Sequence, residues 1–300
     1  MRMLLMSIWL LSACCLADAD VSRAESPSAS PKVTFDAPEA VLWDAGSQTW
    51  FVSSLGNGVS LEKDGYGWIS RLDMDGNVLS AQWVSGLDAP TGMDVVGEML
   101  FVGDRGRIVV IDIPTATIVR EIELPDAEFV NDVSAGSGGT LYVSDFFGNK
   151  IFRINSEFEV DVLVESADLG YPNGLWADGE RLYFGSWGNI IDKSTFETDR
   201  LGTIKYVDLK TKEIVAVGQG RPIANFDGIV RYGDVTFGTD WSGGRLLSIT
   251  DQGEVRELLT GFSQFAGLGF DPERKMFVIP EMSKDRMIIL RGESVVKGLR

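Results

Sequence analysis

Four oxygen-bearing side chains, Glu39, Asn131, Asn173 and Asp227, stand at matched places in a repeating chain. Carboxylate and amide oxygens are the ligands of hard cations. Two carboxylates, two amides and water can fill the six to eight positions around Ca²⁺, whereas the smaller, octahedral Mg²⁺ suits such a set less well. Taken singly, Asn131-Asp132, Asn173-Gly174 and Asp227-Gly228 read as turn pairs. Glu39, in register with them but outside any turn pair, favours a metal site. Other chemistries lack their parts. The chain has no histidine, which excludes a Ser-His-Asp triad, a Cys-His pair and a histidine-ligated zinc, copper or iron centre. Both cysteines, Cys14 and Cys15, are N-terminal, so the rest of the chain carries no disulfide, thiol nucleophile or iron–sulfur cluster. A formal charge of −17 argues against a nucleic-acid partner. The run Asp73-Met74-Asp75-Gly76-Asn77 resembles part of a calcium loop, but it lacks the distal Glu and falls where other repeats have hairpin turns; it reads as structural.

The elements that must position these residues recur six times. An apolar strand followed by small or acidic residues appears as Thr49-Trp50-Phe51-Val52-Ser53, Met99–Asp104, Thr140-Leu141-Tyr142-Val143-Ser144-Asp145, Arg181-Leu182-Tyr183-Phe184-Gly185, Asp234-Val235-Thr236-Phe237-Gly238-Thr239-Asp240 and Lys275-Met276-Phe277-Val278-Ile279. Each is followed by a further strand and a hairpin. Four short strands per unit, six times over, predict an all-β fold, a six-bladed β-propeller with four-stranded blades spanning residues 33–300. In such a ring the innermost strands all begin at one face, beside the central channel. Aligning the repeats puts these starts near Glu39, Thr91, Asn131, Asn173, Asp227 and Ala266, at intervals of 52, 40, 42, 54 and 39 residues. Side chains far apart in the chain are therefore expected to meet on the axis. Long insertions at 54–66 and 188–202 overhang the same face as flexible lids, and Arg105, Phe146, Trp187 and Trp241 would line a pocket beneath them.

Glu39-Ala40-Val41-Leu42-Trp43 resembles the Glu-x-x-x-Trp opening of the senescence marker protein/gluconolactonase (regucalcin-like) family. Asn131-Asp132-Val133, Asn173-Gly174-Leu175 and Asp227-Gly228-Ile229 resemble its Asn-Asp, Asn-Gly and Asp-Gly motifs. The resemblance implies a metal-dependent lactonase or esterase. Glu39, Asn173 and Asp227 would hold a divalent metal, most simply Ca²⁺, and Asn131 would serve the metal or the substrate. Asp227 would be the general base, and Arg105, Trp187 and Trp241 would join Asn131 in contacting a small lactone or ester. One departure bears on substrate: many sugar-lactone-hydrolysing members carry Arg two residues before the first Asn, where this chain has Phe129. The competing expectation is a non-catalytic, calcium-stabilised propeller that binds a protein or glycan.

Residues 1–19 read as a signal peptide, with Arg2 before the largely apolar run 3–11, too short for a transmembrane span. Leu11-Ser12-Ala13-Cys14 has the form of a lipobox that would leave a lipid anchor on Cys14, and Ala17-Asp18-Ala19 offers a competing soluble cleavage. Residues 20–32 read as a linker. The expected location is outside the cytoplasm, periplasmic or as an outer-membrane lipoprotein, where calcium is plentiful.

Overall fold

The computed structural model describes residues 35–56 and 63–291. The expected signal peptide, the Cys14 anchor, the linker and part of the first insertion lie outside them. No described helix is long and apolar enough to cross a membrane.

The chain forms a six-bladed β-propeller of antiparallel sheets. Five sheets have four strands and the sixth has three described strands, Gly269–Asp271, Met276–Glu281 and Arg286–Arg291. The innermost strands are Pro38–Asp44, Pro90–Val96, Val130–Ala135, Pro172–Asp178, Phe226–Tyr232 and Gly269–Asp271. Second strands such as Thr49–Ser54, Leu141–Asp145 and Val235–Asp240 are buried along their whole length, which is why they read as nearly unbroken apolar runs. The outermost strand Thr117–Glu123 is exposed at all but one position and reads as mixed polar sequence.

Apolar packing between the blades holds the ring. Phe101, Ile108, Val133 and Val143 fill the interface of blades two and three, and Val230, Phe237, Phe265 and Phe277 that of blades five and six. The closing interface packs Phe35, Trp50 and Val52 of the first blade against Met276, Val278 and Met287 of the last. Backbone bonds reinforce the closure: Val41 N donates to Gly267 O at 3.0 Å and Gly267 N to Glu39 O at 2.7 Å. The Asp73–Asn77 segment is a local turn in which Asp73 accepts from the backbone N–H groups of Asp75 and Asn77 and from the Asn77 amide.

Between the second and third strands of blade four, the second long insertion folds into its own hairpin, Gly188–Asp192 paired with Glu197–Leu201. It was expected as one of two flexible lids, without strands of its own. Ile190 and Phe196 pack it against an aromatic cluster.

Candidate functional site

Each inner strand carries the same irregularity. Pro38 pairs with Ser54 and Val41 with Val52, so one extra residue bulges out of the ladder. The same offset recurs after Pro90, Val130, Pro172 and Phe226, and between Phe265 and Gly269 in the last blade. A bulge re-aims side chains and tightens the bend of a strand. Glu39, Thr91, Asn131, Asn173 and Asp227 each occupy its first position, and Ala266 the equivalent place before the short sixth inner strand. The four candidate ligands thus sit at one structural level in blades one, three, four and five.

The second bulge position comes nearest the neighbouring blade and is small almost everywhere: Ala40, Gly92, Gly174, Gly228 and Gly267. A Cβ on Gly228 would lie 2.6 Å from the Gly267 Cα, so the backbones themselves touch there. The exception is Asp132. Its carboxylate fits because blade two has Gly92 beside it, where a Cβ would meet Asp132 Oδ1 at 1.8 Å. Asp132 Oδ2 accepts from Leu175 N of the next blade at 2.6 Å. One level further along, Asp94 accepts from Ala135 N at 2.7 Å and Ser134 from Ala177 N at 2.9 Å. These contacts satisfy inner-edge N–H groups that have no partner strand. The N–H groups at the bulge itself go to second-strand hydroxyls: Ala40 to Ser53, Asp132 to Ser144 and Gly228 to Thr239. Thr91 donates to Gly103 O and Val130 O, so its hydroxyl is spent within the wall.

The side chains of Asn131, Asn173 and Asp227 make no hydrogen bond among the described residues, although all are buried. Glu39 Oε2 is fully enclosed and has no partner. Burial, then the nearby Asp227 and Asp132 carboxylates, hold the Glu39 carboxyl well above the usual range. Burial and Asp132 do the same to Asp227. Asp132 is pushed up to about 7 by burial, opposed by the N–H groups of Leu175 and Val133 and reinforced by Asp94. Burial also raises Asp94 against the N–H groups of Ala135 and Val95. Among the described residues, no Lys or Arg offsets any of the four. An isolated ionised carboxylate away from water costs several kcal/mol, roughly, and must take a proton or a cation.

The donor chemistry fits a hard divalent cation: a buried, orphaned Glu39 oxygen faces the Asp227 charge, with unbonded Asn131 and Asn173 amides at the same level. Among the described residues no three carboxylates stand close enough to chelate one ion by themselves. A bound ion would therefore need the amide oxygens as well.

Above this level lies a tier built from the residues before each inner strand and after each second strand. Their backbones pair: Leu55 N with Ala37 O, Phe146 N with Phe129 O, Trp187 N with Tyr171 O, Trp241 N with Asn225 O, and Met282 N with Gln264 O. Over blades three to five the tier is aromatic. Phe129, Phe146, Phe147, Tyr171, Trp187 and Phe196 pack together, and Trp241 joins them to the aliphatic half formed by Ala37, Leu55, Ala89 and Met282. Trp187, expected to face substrate, is only 2% exposed, and its indole N–H is given to Phe196 O at 3.2 Å. Trp241 is half-buried, its ring 5.5 Å from that of Trp187. Arg105 lies apart, lining a cavity of about 290 Å³ with Asp88, Asp104, Arg107 and Glu128.

Asp94 and Asp132 were not among the residues expected from sequence. The signal for Asp132 was present: it is the one charged residue in a register otherwise held by Gly or Ala. Phe196 carried no such signal, because only the hairpin fold brings it back over Phe147.

No protein-family model and no curated protein matches the chain. Among solved structures, the chain is similar to virginiamycin B lyase from Staphylococcus aureus at 17% identity and a TM-score of 0.58, covering 88% of this chain and 97% of that one. That structure is of a catalytically inactive histidine-to-alanine variant with quinupristin. It is also similar to an auxiliary nutrient binding protein from Bacteroides thetaiotaomicron, at 14% identity and a TM-score of 0.63 over 86% of this chain and 69% of that one. A propeller in a nidogen/laminin complex matches at 13% identity and a TM-score of 0.57, over 76% and 91% of the two chains. At such identities the likeness is one of fold. Propellers of this shape include an enzyme and binding proteins.

Proposed function

We propose that the protein is a metal-dependent hydrolase of the gluconolactonase type, opening a lactone or similarly activated ester at the channel mouth. The observation that carries this reading is the orphaned Glu39 carboxylate beside Asp227, with no cationic side chain among the described residues to neutralise either. Buried, mutually raised carboxylates of this kind are common at reactive centres. Glu39, Asn131, Asn173 and Asp227 would hold a divalent cation, most simply Ca²⁺, which when bound supplies a Lewis acid for a carbonyl oxygen. Asp227 would accept a proton from the attacking water. Beside the cation its carboxylate would be ionised and only a weak base, which suits an activated, ring-strained ester. The Asn131 side-chain N–H would donate to the substrate carbonyl oxygen and fix its orientation. The lyase among the structural neighbours lost activity when a histidine was replaced, and this chain has none. It cannot use the same group, and an acid–base role falls to a carboxylate.

The closed aromatic tier supports a second reading, a non-catalytic propeller whose cation serves as a strut and whose face binds a partner. Hydrolysis of a lactone panel by purified protein, with and without chelator, separates the two. The hydrolase reading expects chelator-sensitive turnover that Asp227→Asn abolishes. Turnover that ignores chelator and substitution, or no turnover at all, would refute it. Export and lipidation at Cys14 belong to the same proposal, and mass analysis of the mature N-terminus tests them.

A further inference from the structure

We infer that the site takes an apolar, ring-bearing ester or lactone in preference to a polyhydroxylated one, and that Phe196 holds the place of the substrate's ring until the 188–201 hairpin lifts. The inference rests on the reading that the Glu39–Asp227 level binds the ligand's reactive end.

The chemistry of the tier over that level sets the preference. Phe129 precedes Asn131 by two residues and Tyr171 precedes Asn173 by two, so the aromatic half stands directly above two of the candidate ligands. Among the described residues, its polar groups are mostly committed, the Tyr171 hydroxyl and the Trp241 indole N–H being the exceptions. The Asn225 amide N–H₂ donates to Trp187 O at 2.7 Å and Thr198 Oγ1 at 3.1 Å. Lys193 lies 5.0 Å from the Phe147 ring and is paired with Glu128 at 2.9 Å. The several hydroxyls of a sugar pressed on this surface would lose water and find too few partners. An aromatic ring would find edge and face contacts of the kind already present, such as Phe146 against Trp187 at 5.4 Å and 86°.

Phe196 shows where that ring would go. It lies 5.7 Å from Phe147, 5.8 Å from Trp187 and 5.9 Å from Trp241, the midpoint of the cluster. Unlike its neighbours it is carried by a two-stranded hairpin, a unit that is marginal on its own. Its backbone is left-handed, with φ of 60°, a strained state for an aromatic residue that the surrounding contacts must sustain. The hairpin's two ends cross at glycines: a Cβ on Gly188 would sit 2.1 Å from Arg200 O, and one on Gly202 1.8 Å from Ser186 O. Much of the rest of the hairpin is exposed, including Asn189, Asp192 and Lys193. Its few anchors, glycine base and strained plug are the features of a lid.

The test uses a phenyl-substituted γ-butyrolactam, which resists hydrolysis, followed by calorimetry and by tryptophan fluorescence of the full chain. The lactam should bind and shift the fluorescence, and the corresponding gluconolactam should not. Phe196→Ala and Phe196→Leu remove or shrink the plug, and Lys193→Glu breaks the exposed tie to Glu128. Each should tighten lactam binding roughly fivefold by removing the cost of opening. Lys193→Glu lies on the surface and carries the test if the Phe196 variants fail to fold. Absence of lactam binding, or binding unchanged or weakened in all folded variants, overturns the inference. So does hydrolysis of gluconolactone with a higher kcat/KM than the phenyl lactone, which would leave the hydrolase reading intact. Lactam binding strengthened by the variants, without hydrolysis of either lactone, upholds the inference and removes the hydrolase reading.

Discussion

Asp240 and Asp227 belong to one blade, thirteen positions apart in the chain, and both are almost fully buried, at 2% and 5% exposure. Asp240 ends the second strand. It pairs with Arg245, whose Nε lies 2.8 Å away, and accepts from the N–H groups of Asn225 and Gly243. Asp227 begins the inner strand and has no such company. The contrast repeats around the ring. Asp104 accepts from the N–H groups of Asp88 and Ala89 and pairs with Arg107, Asp145 collects the N–H groups of Glu128, Phe129 and Gly148, and Glu281 is held by Lys284 and Arg286. Glu39, Asp94, Asp132 and Asp227 crowd one another, with no Lys or Arg beside them among the described residues. One set of acids ties loop to strand. The other stores repulsion on the axis, where an ion would relieve it.

The largest effects should come from breaking the paired set. Asp104→Ala orphans two backbone N–H groups and leaves Arg107 partly uncompensated, so urea unfolding should show a loss of roughly 3 kcal/mol. In chelator-treated protein Asp227→Asn should cost nothing or add stability, because it removes repulsion. Equal losses would erase the distinction between the two sets.

Added Ca²⁺ should raise the stability of wild-type protein by about 2.7 kcal/mol at a hundredfold excess over Kd. Glu39→Gln and Asp227→Asn should lose most of that gain, while Asp104→Ala should keep it. Thermal melts with and without calcium measure the difference.

Asp132 and Glu281, one from each set, should answer pH with opposite signs. A carboxyl raised by folding holds its proton more tightly in the folded state, so its contribution is complete at low pH and disappears as pH rises to the folded value. For Asp132 that loss spans pH 3.8 to about 7. Glu281 is lowered, because its bonds to Lys284 and Arg286 outweigh the effect of burial. Its contribution is present above its ordinary value of 4.5 and is lost as pH falls through the depressed one. Chelator-treated protein should therefore gain stability from pH 7 to 5 in the wild type, and less in Asp132→Asn.

The smallest effect is that of Asp132→Asn at fixed neutral pH. The amide oxygen can still accept from Leu175 N while the charge is gone, so metal-free stability should rise by about 1 kcal/mol or less. A large loss would show that the charge itself is needed as the acceptor between blades.

The propeller was legible because second strands buried on both faces leave long apolar runs, and six in-phase copies fix the ring. The inner-strand level could be read from Glu39, Asn131, Asn173 and Asp227 because each marks the same bulge. Two things were hidden. Trp187 and Trp241 look like pocket residues in sequence, yet the 188–201 hairpin brings Phe196 back against both, a contact that depends on how the insertion folds. Arg105 shares the register of Trp187 but lines a side cavity between blades two and three. Periodicity fixes where a backbone lies, not where a long side chain turns.

The most direct measurement is calorimetric titration of Ca²⁺ into chelator-treated protein, paired with elemental analysis of the protein as purified. One equivalent should bind to the wild type and to Asp104→Ala, and none to Glu39→Gln or Asp227→Asn at the same concentrations. Binding that survives both channel substitutions, or no binding to any of the four proteins, would contradict the assignment of the unpaired acids to an ion.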